Sequence, residues 1–243
     1  LGVVSVDAGS GVNQLVLDYT SVPDKMTLSA RPGRIHGLID DVANKRLYPV
    51  NLTYSASGGE YSDVTLKAGQ HDDRVILFGA LTAGSTSLQG GPGNDLFQFA
   101  GTAYGSSGQG IFDVNGNDGI DRILAPNRNN EWQVRGTNAG AVNQDIVFRD
   151  VEKLSGGSRD DRYVIDPGAE VSIVHGGGGT NTLDYSGWSQ PVEVNLRLRK
   201  ASSVTSQAVG VQHVIGGRGD DLLVGGLGAV SYTHLTLPTI REV

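Results

Sequence analysis

The chain has 243 residues, 36 glycines, no cysteine and a net charge of −7. Without cysteine there is no disulfide framework and no thiolate metal site, so a bound metal must be held by oxygen. The acidic balance argues against nucleic acid as a partner and favours cations, and no apolar run is long enough to span a membrane.

Taken in order, residues 1–62 carry one glycine-rich motif, AGSGVNQLV from Ala8, followed by a polar, irregular stretch from Tyr19 to Asp63. Within that stretch SARPGRIHG (29–37) reads as a turn and DDVANKR (40–46) as a charged loop or one helical turn. LYPVNLTYS (47–55) alternates like a strand, with Pro49 suggesting an edge. Residues 63–125 hold three further motifs in close succession. Residues 126–229 alternate loops such as APNRNNEW with more motifs, and VEVNL (192–196) reads as a strand on the opposite side. No linker divides 1–229 into two domains.

Both ends read as artificial. Leu1 falls in mid-repeat, with no initiator methionine or signal peptide, as expected of a fragment. VSYTHLTLPTIREV (230–243) lacks glycine and aspartate and resembles translated adapter sequence at the ends of metagenomic reading frames. Residues 230–243 are therefore expected to be a non-native, disordered tail.

The organising stretch is Gly216–Gly226, GGRGDDLLVGG, which fits the nonapeptide G-G-x-G-x-D-x-Φ-x, with Φ apolar. Six eroded copies start at Ala8, Ala68, Gly90, Gly116, Gly156 and Gly176. Their sixth positions, with that of the parent stretch, are Asn13, Asp73, Asp95, Asp121, Asp161, Asn181 and Asp221. The eighth positions are Leu15, Val75, Phe97, Ile123, Tyr163, Leu183 and Leu223. Two residues ahead of the copies stand Val6, Leu66, Leu88, Val114, Leu154, Val174 and Val214. The unit is strand, glycine–acid turn, strand, with the flanking apolar residues pointing to a common interior. Successive sixth positions are 60, 22, 26, 40, 20 and 40 residues apart, near multiples of twenty. That period predicts an all-β fold, a parallel β-solenoid or β-roll-like stack in which turns on one edge line up their carboxylates.

A row of carboxylates and turn carbonyls suits calcium, which takes six to eight oxygens, better than magnesium with its strict octahedron. His71, His175 and His213 fall at different repeat positions and read as solvated residues, not zinc ligands.

The pattern resembles the RTX, or haemolysin-type, calcium-binding repeat family over roughly residues 4–229, with tandem register only in 216–229. The resemblance implies a parallel β-roll with calcium between stacked turns. Carried over by position, the metal ligands are Asp73, Asp95, Asp121, Asp161 and Asp221, with Asn181 a weaker, uncharged one. The pairs expected to share an ion are Asp73 with Asp95 and Asp161 with Asn181. His71 and Arg159 stand where a glycine belongs, so a left-handed backbone there should be costly.

The function expected is a calcium-binding structural or adhesive segment of a secreted or cell-surface protein, with calcium ions and a cell-surface carbohydrate or protein as partners. Two other readings remain open. Arg74, Arg122 and Arg162 directly follow the acid and could neutralise it, giving a metal-free scaffold. A β-helix lyase or epimerase acting on acidic polysaccharide would use the basic cluster of Arg197, Arg199 and Lys200. No hydrolase, zinc-protease or phosphate-loop motif occurs.

Overall fold

The computed structural model describes residues 4–41, 44–55, 59–81, 84–100, 111–226 and 231–233. Among these the chain is all-β, with no helix. It forms two compact units, Leu1–Pro126 with Gln144–Val151, and Asn127–Asn143 with Glu152–Val243.

The first unit begins with β1 (Val4–Asp7), β2 (Gly11–Asp18), β3 (Lys25–Arg31), β4 (Arg34–Asp41), β5 (Arg46–Ser55) and β6 (Gly59–Lys67). It continues with β7 (Arg74–Leu77), β8 (Ser85–Pro92), β9 (Leu96–Phe99), β10 (Ile111–Asp118) and β11 (Arg122–Leu124). The next two strands, β12 (Asn130–Gly136) and β13 (Ala139–Val142), belong to the second unit, and β14 (Ile146–Arg149) returns to the first. One sheet of the first unit has the order β1-β5-β4-β3-β7-β9-β11 and the other β2-β6-β8-β10-β14.

From β6 to β11 the chain alternates between these sheets, and from β8 on each strand pairs in parallel with the one two places earlier. The register matches repeat positions. Val75 lies opposite Phe97 and Phe97 opposite Ile123, while Leu66, Leu88 and Val114 line up on the other sheet. All six are at most 2% exposed. Because side chains alternate along a strand, an apolar residue two places before the turn and another at its eighth position face one interior. Burying each contributes roughly 1.5–3 kcal/mol.

The stretch expected to be irregular is ordered. β3, β4 and β5 form an antiparallel meander, with Gly33 at φ +77° in the first turn. Its alternation is masked by small residues: Met26, Leu28 and Ala30 point inward at 0–1% exposure, between polar Lys25, Thr27 and Ser29. Asp40 and Asp41 end β4 and Arg46 begins β5, so DDVANKR is a strand-to-strand connection; residues 42–43 lie outside the described ones. Pro49 pairs with Leu38, and β5 stands between β1 and β4, so it is not the edge strand that the proline suggested.

The second unit adds β15 (Lys153–Ser155), β16 (Asp161–Ile165), β17 (Val171–His175), β18 (Thr182–Asp184) and β19 (Glu193–Asn195). It ends with β20 (Lys200–Ala201), β21 (Val204–Val209), β22 (His213–Ile215), β23 (Leu222–Val224) and β24 (Ser231–Thr233). One sheet has the order β15-β17-β21-β20-β19-β23 and the other β13-β12-β16-β18-β22-β24. The expected VEVNL strand is β19, paired in parallel with β23. The basic cluster beside it spans the hairpin between β19 and β20: Arg197 and Arg199, the latter at φ +60°, lie in the turn and Lys200 opens β20.

Two further expectations need correction. The turns at Gly156 and Gly176 lead from the first of these sheets to the second, but the turn at Gly216 leads back, so Asp221 lies on the opposite edge from Asp161 and Asn181. Longer excursions, such as the β19–β20–β21 meander, change which edge a copy occupies. In the tail expected to be disordered, Ser231–Thr233 pairs in parallel with His213–Ile215; residues 234–243 lie outside the described ones.

Candidate functional site

The alternation that buries the eighth position also buries the sixth, two residues earlier. Asp73, Asp95, Asp121, Asp161, Asn181 and Asp221 are accordingly 0–7% exposed. Asn13, by contrast, lies within β2, where its side-chain amide donates to the Gly11 carbonyl at 3.2 Å.

In the first unit the acids form a row along one edge. The Met26 amide donates to Asp73 Oδ1 at 2.6 Å, the Asp73 amide to Asp95 Oδ1 at 2.7 Å, and the Asp95 amide to Asp121 Oδ1 at 2.7 Å. Asp73 also takes the Gly69 amide on Oδ2 at 2.7 Å. A parallel sheet bending through a turn cannot pair every amide with a carbonyl, and the side chain supplies the missing acceptor. Next to it runs a second, exposed row in the opposite sense: the Asn94 amide donates to Asp72 Oδ1 at 2.7 Å and the Ile120 amide to Asn94 Oδ1 at 2.9 Å. Successive backbone amides point to opposite neighbours, so the fifth position serves the copy on one side and the sixth the copy on the other.

The second unit repeats the device with mixed chemistry. Asn130 Nδ2 donates to Asp161 Oδ1 at 2.6 Å, the Asp161 amide to Asn181 Oδ1 at 2.9 Å, and the Asn181 amide to Gln212 Oε1 at 2.8 Å. Asn143 Nδ2 caps Asn130 Oδ1 at 2.9 Å. Asn181 Nδ2 donates to the Gly210 and Gly178 carbonyls at 2.8 and 3.1 Å. The outer row recurs as the Thr180 amide bonded to Asp160 Oδ1 at 2.8 Å. On the other edge, Asp221 Oδ1 accepts the Val192 amide at 2.9 Å.

Close approach explains the first glycine of the motif. A Cβ on Gly90 would stand 2.2 Å from Asp95 Oδ2 and 2.6 Å from the Gly116 carbonyl oxygen; on Gly176 it would meet Asn181 Nδ2 at 2.4 Å and the Gly210 carbonyl at 2.1 Å. Asp95 Oδ2 thus occupies the place that Asn181 fills with an NH₂ donor, and Oδ2 has no hydrogen-bond partner. At the fourth position the expected strain is not at His71 or Arg159, neither of which has positive φ. The following copy takes it up instead: Gly93, at φ +136°, would place a Cβ 2.5 Å from the His71 backbone.

Burial moves the acids' protonation. It raises Asp95 to about 8, reinforced by the charges of Asp121, Asp73 and Asp72 and opposed by the Asp73 amide. Burial also raises Asp161 to about 6 and raises Asp73, against the Met26 and Gly69 amides. Exposed Asp72 goes the other way, held low chiefly by the Asn94 amide.

The arginines after the acid do not fold back on it in the two clearest copies. Arg74 reaches Gln98 Oε1 at 2.5 Å, and Arg162 pairs with buried Asp184, with Nε at 2.8 Å. Alternation sends them outward, so the acid row is balanced by backbone amides.

As a calcium shell the set is uneven. Between Asp161 and Asn181, the expected ion-sharing pair, stands an amide hydrogen that a cation would have to displace, and the Asn181 NH₂ group already donates to the Gly210 carbonyl. Both oxygens of Asp73 already accept amides. Among the described residues no three of His, Asp and Glu converge on one point as metal ligands do. Sequence reasoning missed Asn130, Asn143, Gln212 and the outer row. A signal for Asn130 existed: Asn130-Glu131-Trp132-Gln133-Val134 pairs residue for residue with Asp161-Arg162-Tyr163-Val164-Ile165. Searches of protein-family models, curated proteins and solved structures find no match to the chain.

Proposed function

We propose that the chain is a structural repeat segment of a secreted or cell-surface protein, built as a parallel β-solenoid whose copies are fastened by side-chain-to-amide ladders, without a metal. The bond from the Asp73 amide to the Asp95 carboxylate, repeated at Asp95–Asp121 and Asp161–Asn181, carries this reading. The acidic sixth position then serves the stack itself. The secreted or surface setting rests on the resemblance of the tandem register from Gly216 to haemolysin-type repeats.

Calorimetric titration of the chain with calcium, and melting with calcium or with a chelator, test the reading. No binding heat and an unchanged melting temperature at millimolar calcium support it; heat together with a raised melting temperature overturns it. The latter outcome would favour calcium held at the three-aspartate row, a reading supported by Asp95 Oδ2, which is buried and makes no hydrogen bond.

A further inference from the structure

The two outward faces of the first unit differ in charge. On the sheet containing β8 and β10, cations are matched to acids: Lys67 pairs with Asp18 at 3.0 Å and Arg149 with Asp113 at 2.6 Å. On the other sheet, the outward positions of β3, β4 and β7 carry Lys25, Arg31, Arg34, Arg74 and His36, with Asp40 as the acid. Lys25 lies opposite Asp40 and also acts on Asp72. The three arginines rest on neutral partners. Arg34 reaches Asn51 at 3.4 Å, Arg74 reaches Gln98, and Arg31 lies 4.2 Å over the Phe78 ring.

We propose that this face binds an anionic polysaccharide, carboxylated or sulfated. A shallow groove of about 420 Å³ crosses it, lined by Ser29, Arg34, His36 and Asn51 among others. Ser29, His36 and Asn51 lie side by side across three paired strands, a row of hydroxyl, imidazole and amide groups suited to sugar hydroxyls. Guanidinium groups bind carboxylate or sulfate through two parallel hydrogen bonds; Arg31 and Arg34 face each other on neighbouring strands, roughly 4.8 Å apart, and Arg74 lies farther along the face, opposite Thr27. Polysaccharide is favoured over single-stranded nucleic acid because base binding needs free aromatic platforms, and Phe78 is already covered by Arg31. The inference goes beyond the scaffold reading and uses it only for the rigidity of the sheet.

The test is titration of the whole chain with polygalacturonate, dextran sulfate and unsubstituted dextran, at low and high salt. Binding to one or both charged polymers, absent for dextran and weakened by salt, is the expected result. The two charged arms separate carboxylate from sulfate recognition. Replacing Arg34 and Arg74 together by Gln should weaken binding at least about tenfold without altering the melting temperature, while Arg149→Gln on the opposite sheet should bind as the parent chain does. Should the double variant melt lower, the Lys pair, Arg34→Lys with Arg74→Lys, must still bind more tightly than the Gln pair. Absence of binding to either charged polymer, equal loss in Arg149→Gln, or an oligonucleotide bound as tightly would each overturn the proposal. Calcium titration reads the scaffold and polymer titration reads this face, so the two can fail separately.

Discussion

The backbone amide of Asp73 donates to the carboxylate of Asp95, and the amide of Asp95 donates in turn to Asp121, both at 2.7 Å. Asp95 therefore accepts from the copy before it through its carboxylate and donates to the copy after it through its own amide. The two oxygens of one carboxylate have different tasks, and that difference fixes the sign of several substitutions.

Asp95→Asn should stabilise the chain and Asp73→Asn should destabilise it. Asp95 Oδ2 and the Gly116 carbonyl both stand against the site of a Gly90 Cβ, as Asn181 Nδ2 and the Gly210 carbonyl do at Gly176, so an NH₂ group there should gain a bond of the kind Asn181 makes to Gly210. Asp73 Oδ2 instead accepts the Gly69 amide, and an NH₂ group would oppose donor to donor. Each effect should be about 1–3 kcal/mol, the scale of a buried polar group won or lost. Denaturant midpoints of the two variants, compared at neutral pH, check both directions.

Stability should rise on mild acidification. Asp95 and Asp161 have folded-state values raised to about 8 and about 6, above the ordinary carboxyl value of 3.8 that the unfolded chain adopts. The folded state then holds more protons than the unfolded one. The contribution is fully present below about pH 4. It is lost as pH rises, up to about 6 for Asp161 and about 8 for Asp95. Each group contributes at most about 1.4 kcal/mol per pH unit within its window. Melting temperatures across that range should fall with increasing pH, and Asp95→Asn should flatten the curve between pH 6 and 8, above the value of Asp161 and up to that of Asp95.

Gly90→Ala should cost about 1–3 kcal/mol, because the new methyl meets a carboxylate and a backbone carbonyl that cannot both move aside. Gly187→Ala is the matched control: its Cβ would meet only Pro167 Cδ, at 3.8 Å. A similar loss at both sites would show that backbone freedom, and not the seat of the Asp95 side chain, is what the first glycine provides.

The strand–turn–strand unit was legible because two apolar positions recur around each turn; Leu66, Leu88 and Val114, and their counterparts Val75, Phe97 and Ile123, are buried as their spacing implies. The depth of the acids was legible too, since a residue two places before a buried Phe97 shares its face. Reading Asp95 as a turn-edge ligand overlooked that parity. What the motif could not reveal was which edge a copy occupies. Asp221 follows a meander whose lysine, serine and glutamine residues carry no period, and it ends opposite Asp161. Met26-Thr27-Leu28 matches Asp73-Arg74-Val75 in place but lacks an acid, so a template keyed to aspartate passes over it.

Adjacent Asp72 and Asp73 offer the sharpest contrast. Asp73→Ala strands two amides, those of Met26 and Gly69, in a place where Asp73 is 3% exposed and water cannot replace the carboxylate. The loss should be about 2–6 kcal/mol, two buried donors at roughly 1–3 each. Asp72→Ala frees the Asn94 amide at the surface, where solvent takes over the bond, and should cost no more than about 1 kcal/mol. Because the Asp73 side chain reaches only the neighbouring segment at Met26 and its own turn at Gly69, hydrogen exchange in Asp73→Ala should quicken first at those two amides. Exchange that quickens evenly over the first unit, or an equal cost at the two aspartates, would mean that the inner row is not what fastens one copy to the next.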